Sequence, residues 1–277
     1  MSEFRFKQFR VKQDRAALKV GTDAVLLGTL ASLEGLTGME SQVGLEGLTG
    51  KTAELLDIGT GTGVISLIIA QRLAAMTRTT EADWHISAID IDGPSILDAG
   101  DNFTASPWPG HLQAIHSSLQ EFSDLQRVPS GHQKFSGKEF DLIFSNPPFY
   151  DDSLRNPDPR EANARHSASL SYRDILAFAA ERLRKPSDNF TGGSLSLILP
   201  AEEEARLLRT AASFDLFPFR IVRVRTVESK KPRRIVAEFR ARGSQKPERR
   251  EESLTLHTHG ASTFSEDYRR LTEDFYL

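Results

Sequence analysis

Asn146, Pro147, Pro148 and Phe149 close an apolar run that begins at Phe140. An asparagine side chain offers a carbonyl acceptor. A proline has no N–H and a fixed φ, so the backbone carbonyl at that position points in a set direction. A phenylalanine offers a flat apolar face. Two adjacent prolines also stop a strand, because neither can donate to a ladder. The group can therefore be plain punctuation, or a rigid bracket of two acceptors and a ring. Such a bracket suits a planar exocyclic amine. The amine lone pair is delocalised into its ring, which makes it a poor nucleophile. Two acceptors holding its two protons favour a pyramidal nitrogen and localise the lone pair, an electrostatic preorganisation joined to positioning. A stacked aromatic face contributes about 1–3 kcal/mol per base.

A second group precedes it. In "LLDIGTGTGV", Asp57 ends an apolar run, and Gly59, Gly61 and Gly63 follow at alternate positions around Thr60. Glycines after the first strand of a doubly wound sheet let a ligand approach the backbone closely. A dinucleotide fingerprint reads G-x-G-x-x-G with an acid roughly twenty residues on. Here the spacing is D-x-G-x-G-x-G, and Asp90, with Ile91 after it, lies at the end of the next apolar run, farther along than that fingerprint places its acid. An acid inside the turn would repel a pyrophosphate. A ligand with an amino group and a ribose diol, but no phosphate, fits better, and S-adenosylmethionine is such a ligand. Asp57 would lie near its aminoacyl end, and Asp90 would accept from the ribose hydroxyls.

The elements that must carry these groups alternate. Glu54–Ile58, Trp84–Asp92, "LQAIHSS", "FDLIFS" and "GSLSLILP" read as strands. The segment after the glycine turn, Tyr172–Leu183 and "AEEEARLLRTAASF" read as helices. "FRIVRVRTV" and "RRIVAEFRAR" alternate and are joined by "ESKKP", which predicts an antiparallel hairpin. Strands alternating with helices imply an open, mainly parallel α/β sheet with one antiparallel edge strand. In such a sheet Asn146 and the glycine turn face one crevice, beyond the carboxyl ends of the strands. The hexapeptide "LEGLTG" occurs at Leu33–Gly38 and again at Leu45–Gly50, and is expected to form an inserted surface loop. Arg127–Glu139 is expected to form another.

The totals narrow the chemistry. The chain has 277 residues, 39% of them apolar, which is enough for a large core. It lacks an apolar run of the roughly 20 residues that a membrane span needs. The start, "MSEFRFKQFRVKQ", is charged and has no apolar signal core, so a cytoplasmic protein is expected. There is no cysteine, which excludes a zinc-thiolate site and a cysteine nucleophile, and no metal is called for. Pyrimidine carbon-5 methylation, which normally uses such a nucleophile, is disfavoured.

Net charge is −3, yet cations cluster. Arg5, Lys7 and Arg10 interleave with Phe4, Phe6 and Phe9. Lys230, Lys231, Arg233 and Arg234 sit at the hairpin turn. Arg165 follows the N-P-P-F group. These are either solvated faces or the local basic stripes with which an acidic protein binds a polyanion. The phenylalanines either stack on bases or cover the core.

Taken with its glycine turn, the N-P-P-F group resembles that of the class I S-adenosylmethionine-dependent methyltransferases acting on amino or amide nitrogens. That resemblance implies their Rossmann-like fold, with a seven-stranded, mainly parallel sheet whose last strand is antiparallel. Their substrates include adenine N6, guanine N2 and the glutamine amide of release factors. The start, Phe4–Ala31 with its K-V-G-T-D, is similar to that of the bacterial tRNA (adenosine-37) N6-methyltransferases acting on valine tRNA. Asn163–Leu176 and Phe264–Leu277 are similar to the same family. The resemblance implies that Gly21, Thr22 and Asp23 line the methionine end of the cofactor. Asp57, Gly59, Thr60, Gly61, Gly63, Asp90 and Ile91 would hold the rest. Asn146 to Phe149 would hold the target adenine, and the basic residues named above would face a tRNA. The division expected is 1–52, a basic segment with a capping helix and the inserted loop, and 53–277, the methyltransferase domain, together forming one compact unit. The rival enzyme is a release-factor glutamine N5-methyltransferase or a guanine-N2 methyltransferase. The rival from another class is a cofactor- or RNA-binding protein without catalysis.

Overall fold

The computed structural model describes residues 3–16, 19–34, 36, 52–77, 83–127, 137–148, 170–187, 190–243, 248–258 and 263–276. β1 (Glu3–Arg5) and β2 (Arg10–Lys12) form a small antiparallel hairpin. α1 (Thr22–Leu30) follows, then β3 (Thr52–Ile58), α2 (Val64–Thr77), β4 (Asp83–Asp90), α3 (Gly93–Thr104), β5 (Leu112–His116) and α4 (Leu119–Arg127). β6 (Leu142–Ser145), α5 (Tyr172–Arg182), β7 (Ser194–Pro200), α6 (Glu204–Ala212), β8 (Leu216–Arg225), β9 (Arg234–Ala241), β10 (Arg250–Thr255) and α7 (Glu266–Thr272) complete the order.

Eight strands form the main sheet, in the order β10-β8-β9-β7-β6-β3-β4-β5. β3, β4, β5, β6 and β7 run parallel, and β9 is antiparallel to both β7 and β8. β10 pairs parallel to β8. The α/β class is the one expected, with two corrections. The sheet has eight strands rather than seven. Its antiparallel strand, β9, lies inside the sheet, because β8 and then β10 add beyond it. β10 reads as polar, "REESLT", because it is an edge strand held by charge. Arg220 makes two hydrogen bonds to Glu252, both at 2.8 Å, and Arg223 bonds Glu251 at 2.9 Å. Charged side chains on an edge also discourage pairing with a further chain.

The central strands are mainly apolar on both faces because both faces are buried. Leu55, Leu56, Ile143, Phe144, Leu197 and Ile198 are fully buried. α1 lies against α2. A Cβ at Gly28 would come within 2.9 Å of the Ile68 side chain, so only glycine permits this approach. Arg72 of α2 donates to the carbonyls of Gly28 and Ala31, both at 2.8 Å. Residues 28 and 31 thus match 68 and 72, so the two helices run the same way. The start of α1 therefore sits beside the start of α2. Arg72 is buried, which pulls its guanidinium down to about 10.

β9 grips the far end of α1. The fully buried Glu238 accepts from Ser32 N at 2.7 Å, Ser196 Oγ at 2.7 Å and Arg220 Nη1 at 2.9 Å. Arg220 also donates to the Leu30 carbonyl. A buried carboxylate needs such partners to offset its lost hydration.

The first hairpin settles the open question on its phenylalanines. Phe6 and Phe9 are buried and stacked, with centroids 4.6 Å apart, and Phe6 stacks on Tyr276. Phe4 packs beside them. They cover the core and do not face a base. Leu33 and Leu36, from the first hexapeptide copy, are also buried, in contrast to the expected surface loop. Glu34 of the same copy accepts from Arg250 at 2.7 Å; the rest of that duplication, and most of Arg127–Glu139, lie outside the described residues.

Candidate active site

In this sheet β3, β4, β6, β7, β8 and β10 all end on one edge, where Asp57, the glycine turn, Asp90 and Asn146 stand at or just past the ends of β3, β4 and β6. Asp57 is fully buried near the end of β3. Its Oδ2 accepts from Thr60 Oγ1 and Ser66 Oγ, each at 2.7 Å, while Oδ1 is buried without a hydrogen-bond partner. Burial pushes this carboxyl up from its ordinary 3.8 to about 7, against the pull of the two hydroxyls, and the charge of Asp90 adds to the rise. Ser66 was not predicted. It lies in the first turn of α2, past the last glycine, where the sequence gives no sign that its hydroxyl turns back to Asp57.

Gly59, Gly61 and Gly63 have φ of +73°, +56° and +80°. The Gly59 and Thr60 amides donate to the Ile89 carbonyl at 2.9 and 3.0 Å, which ties the turn to β4. A Cβ at Gly63 would press into the Phe103 ring, 2.8 Å from Cζ, so this glycine is also a packing requirement. At Gly61 a Cβ would meet nothing within 4 Å. The turn is thus closed behind Gly63 and open in front of Gly61.

Asp90 accepts from the Gly61 amide at 2.8 Å and the Asp92 amide at 2.9 Å. Each oxygen keeps a free lone pair for a hydroxyl. Ile91 stands 57% exposed beside it, an apolar surface that a flat heterocycle would cover. Asp92 caps α3 by accepting from Ser95 N, which ends β4 two residues before the sequence suggests.

Gly21 and Thr22 are exposed at the start of α1, which Asp23 ties to the sheet edge that also carries the glycine turn. Asp23 accepts from Arg234 Nε at 2.8 Å. The resemblance implies a cofactor role for this aspartate and an RNA role for this arginine. The fold joins them.

At the end of β6, Ser145 donates to the Ile58 carbonyl at 2.6 Å, pinning the strand end to β3. Asn146 follows, half-buried, and its Oδ1 is buried without a hydrogen-bond partner. Pro147 is buried and Pro148 exposed. Phe149 and Arg165 lie outside the described residues. Two unpaired buried carbonyl-type oxygens, Asp57 Oδ1 and Asn146 Oδ1, thus stand at one sheet edge. Buried polar atoms are normally paired, so orphans invite a ligand. These residues fit S-adenosylmethionine. There is an acid for an amino group, an open glycine cradle, an acid for a diol and an apolar face for adenine.

Lys230, Lys231 and Arg233 are exposed on the β8–β9 turn. β8 ends on the same edge as β6, so this turn belongs to the edge that carries Asn146. The first basic cluster is used differently. Arg5 bonds Glu3 at 2.8 Å, and Arg10 approaches Glu3 at 3.8 Å. Lys7 bonds the Glu273 carbonyl. Arg15 bonds Asp98 and Asp101 of α3. Among the described residues no helix is long and apolar enough to cross a membrane.

No protein-family profile matches the chain. Curated relatives do. The chain is 34% identical over 274 residues to the tRNA1(Val) (adenine(37)-N6)-methyltransferase of Parabacteroides distasonis, covering 99% of this chain and 97% of that one. It is 34% identical over 276 residues to the protein of the same name in Aeromonas salmonicida, covering 100% and 98%. Among solved structures, one from Listeria monocytogenes, named as a class I S-adenosylmethionine-dependent methyltransferase, superposes with a TM-score of 0.54 at 15% identity, covering 92% of this chain and 71% of that one. That likeness is one of fold.

Proposed function

Because the chain belongs to the tRNA1(Val) (adenine(37)-N6)-methyltransferase family, we infer that it methylates the exocyclic N6 of adenosine 37 in a tRNA, using S-adenosylmethionine. Valine tRNA is the isoacceptor that the relatives' name supports. A cytoplasmic location goes with that substrate.

The observation that carries the mechanism is the unpaired Asn146 Oδ1 at the end of β6. In our reading Asn146 Oδ1 and the Pro147 carbonyl accept the two N6 protons of a flipped adenine. Hydrogen bonds to both N–H groups turn the nitrogen toward a pyramidal geometry and localise its lone pair, with both protons still on it. The buried Pro147 fixes the spacing of the two acceptors, and the Ser145–Ile58 bond fixes the strand that carries them. Phe149 supplies the stacking face. Flipping costs a few kcal/mol of unstacking, which is least in a single-stranded loop. S-adenosylmethionine supplies the electrophilic methyl group. No general base is required, since the amine becomes acidic as the N–C bond forms, and its surplus proton leaves to water.

Asp57, Gly59, Thr60, Gly61, Gly63, Asp90 and Ile91 form the cofactor cradle in this reading, with Gly21, Thr22 and Asp23 closing the methionine end. Lys230, Lys231 and Arg233 neutralise tRNA phosphates. Arg234 acts through Asp23.

The test uses purified protein, tritiated S-adenosylmethionine and unmodified tRNA, with nucleoside analysis of the product. Label in N6-methyladenosine, abolished by Asn146→Ala, is expected. Label in N2-methylguanosine, or in a release factor instead of tRNA, would overturn the base or the substrate class.

A further inference from the structure

Phe264 is 44% exposed, one of three large apolar side chains so exposed among the described residues. The other two, Ile91 and Leu97, flank the start of α3. Phe264 lies elsewhere, just past β10. Its ring stacks on His257, with centroids 5.1 Å apart and planes 25° apart. Tyr268 backs it at 4.9 Å. The segment that presents it is well built. Thr258 and Thr263 bond each other through N–H···O at 3.0 Å and Oγ1···Oγ1 at 2.6 Å, beside an antiparallel bridge between His257 and Phe264. Ser265 donates to the Thr255 carbonyl and caps α7 by accepting from Tyr268 N at 3.0 Å. The imidazole Nδ1 makes no hydrogen bond, so stacking holds that ring.

The location gives this ring pair meaning. β10 runs parallel to β8, so its end lies on the edge that carries Asn146. The His257 amide donates to the Thr226 carbonyl at 2.9 Å, joining the ring pair to the turn that bears Lys230, Lys231 and Arg233. A exposed aromatic face beside a cationic turn is the composition of a single-stranded nucleic-acid platform. From β10 to β6 is four strand spacings, about 19 Å. That is too far for the adenine held at Asn146. Glu266 and Asp267 follow directly in the chain, and they disfavour a phosphate at this spot while leaving an uncharged base face unaffected.

We propose that Phe264, seated on His257, stacks against a second unpaired base of the tRNA loop and fixes the register of the target adenosine. The inference rests on the tRNA reading above. Phe264 touches no reacting atom, so its loss is read in tRNA binding and leaves the chemical step alone.

Unmodified tRNA transcript is the probe. Phe264→Leu keeps apolar volume against Tyr268 but removes the aromatic face. It is expected to raise the KM for tRNA about 5- to 100-fold, with kcat, the KM for S-adenosylmethionine and the melting temperature near wild type. Phe264→Tyr restores the KM. A separate measurement uses Phe264→Trp. The native tryptophans, Trp84 and Trp108, are buried, so tRNA should quench the added fluorophore and leave wild-type emission unchanged. Wild-type tRNA KM in Phe264→Leu, or tRNA bound without quenching of Phe264→Trp, overturns the proposal while the methyltransferase reading stands. If the wild-type protein transfers no methyl to tRNA, that reading fails, and the quenching titration still decides whether a base stacks here.

Discussion

Arg234 donates to Asp23 at 2.8 Å across 211 positions of sequence, joining the first residue of β9 to the first turn of α1. One partner belongs to the strand that follows the basic turn, the other to the helix that starts beside the glycine turn. Both are about one-third exposed or less. A pair so placed is expected to couple the two proposed binding surfaces. Arg234→Gln should raise the KM for both S-adenosylmethionine and tRNA several-fold. Combined with Asp23→Asn, the two effects should fall short of additivity by a few tenths to about 1 kcal/mol. Strict additivity would show that the contact carries no coupling.

Asn146→Ala removes one of two proposed acceptors without touching the cofactor cradle. By analogy with the loss of one preorganised oxyanion donor, kcat should fall at least about 10²-fold. Binding of S-adenosylmethionine, followed by calorimetry, should stay near wild type. A lost cofactor affinity would mean that Asn146 serves the cradle instead.

The Asp57 carboxyl, raised to about 7 by burial, gives two pH effects. Its folded value lies above its unfolded value, so the folded chain holds the extra proton between about pH 4 and 7. The contribution of this group to stability therefore falls as pH rises through that window, and is level above it. Asp57→Asn should flatten that slope in urea midpoints measured from pH 4.5 to 8. The ammonium of bound S-adenosylmethionine favours the carboxylate, so affinity should rise with pH up to about 7 and then level. A pH-independent affinity would place the ammonium elsewhere.

Gly63 combines a φ of +80° with the Phe103 ring at its Cα. Gly63→Ala should cost about 2–4 kcal/mol from backbone strain and overpacking together. Gly61→Ala, with an open front, should cost only the strain and should weaken cofactor binding more than it weakens the fold. Thermal melts with and without cofactor separate the two.

Lys230→Ala and Lys231→Ala should each lower the slope of log affinity against log salt by about 0.7–0.9 if the lysine neutralises a phosphate. The effect should be nearly the same for any tRNA sequence. An unchanged slope would return the turn to a solvated face. Phe264→Leu should weaken binding without moving the slope, because a stacked base releases no counterion.

Much of the fold was legible for a physical reason. β3, β6 and β7 are buried on both faces, so each carries a mainly apolar stretch, Leu55–Leu56, Leu142–Phe144 and Leu197–Leu199, and Asp57, the glycines and Asn146 stand just beyond the first two of them. Sheet order was not legible. The pattern of β8 and β9 announces a hairpin, but nothing local says that β9 pairs with β7 and leaves β8 outside it. β10 escaped because it is an edge strand whose side chains are mostly polar and exposed, with Leu254 its one buried residue. Phe4 and Phe6 alternate with cations as a strand with two faces should. Their apolar partner, Tyr276, lies at the other end of the chain, so alternation alone left the choice between a base and the core open. Asp23 and Arg234 share no local signal at all.

The first hairpin has a consequence for how the protein is made. Lys7 bonds Glu273, 266 positions later, and Phe6 stacks on Tyr276. At roughly 5–20 residues per second, on the order of ten seconds or more of synthesis separates the two sides of that contact. During that interval Phe6 and Phe9 have emerged and their lid has not. The rings of this hairpin are thus among the last to be shielded, because their cover is made more than 260 positions after them.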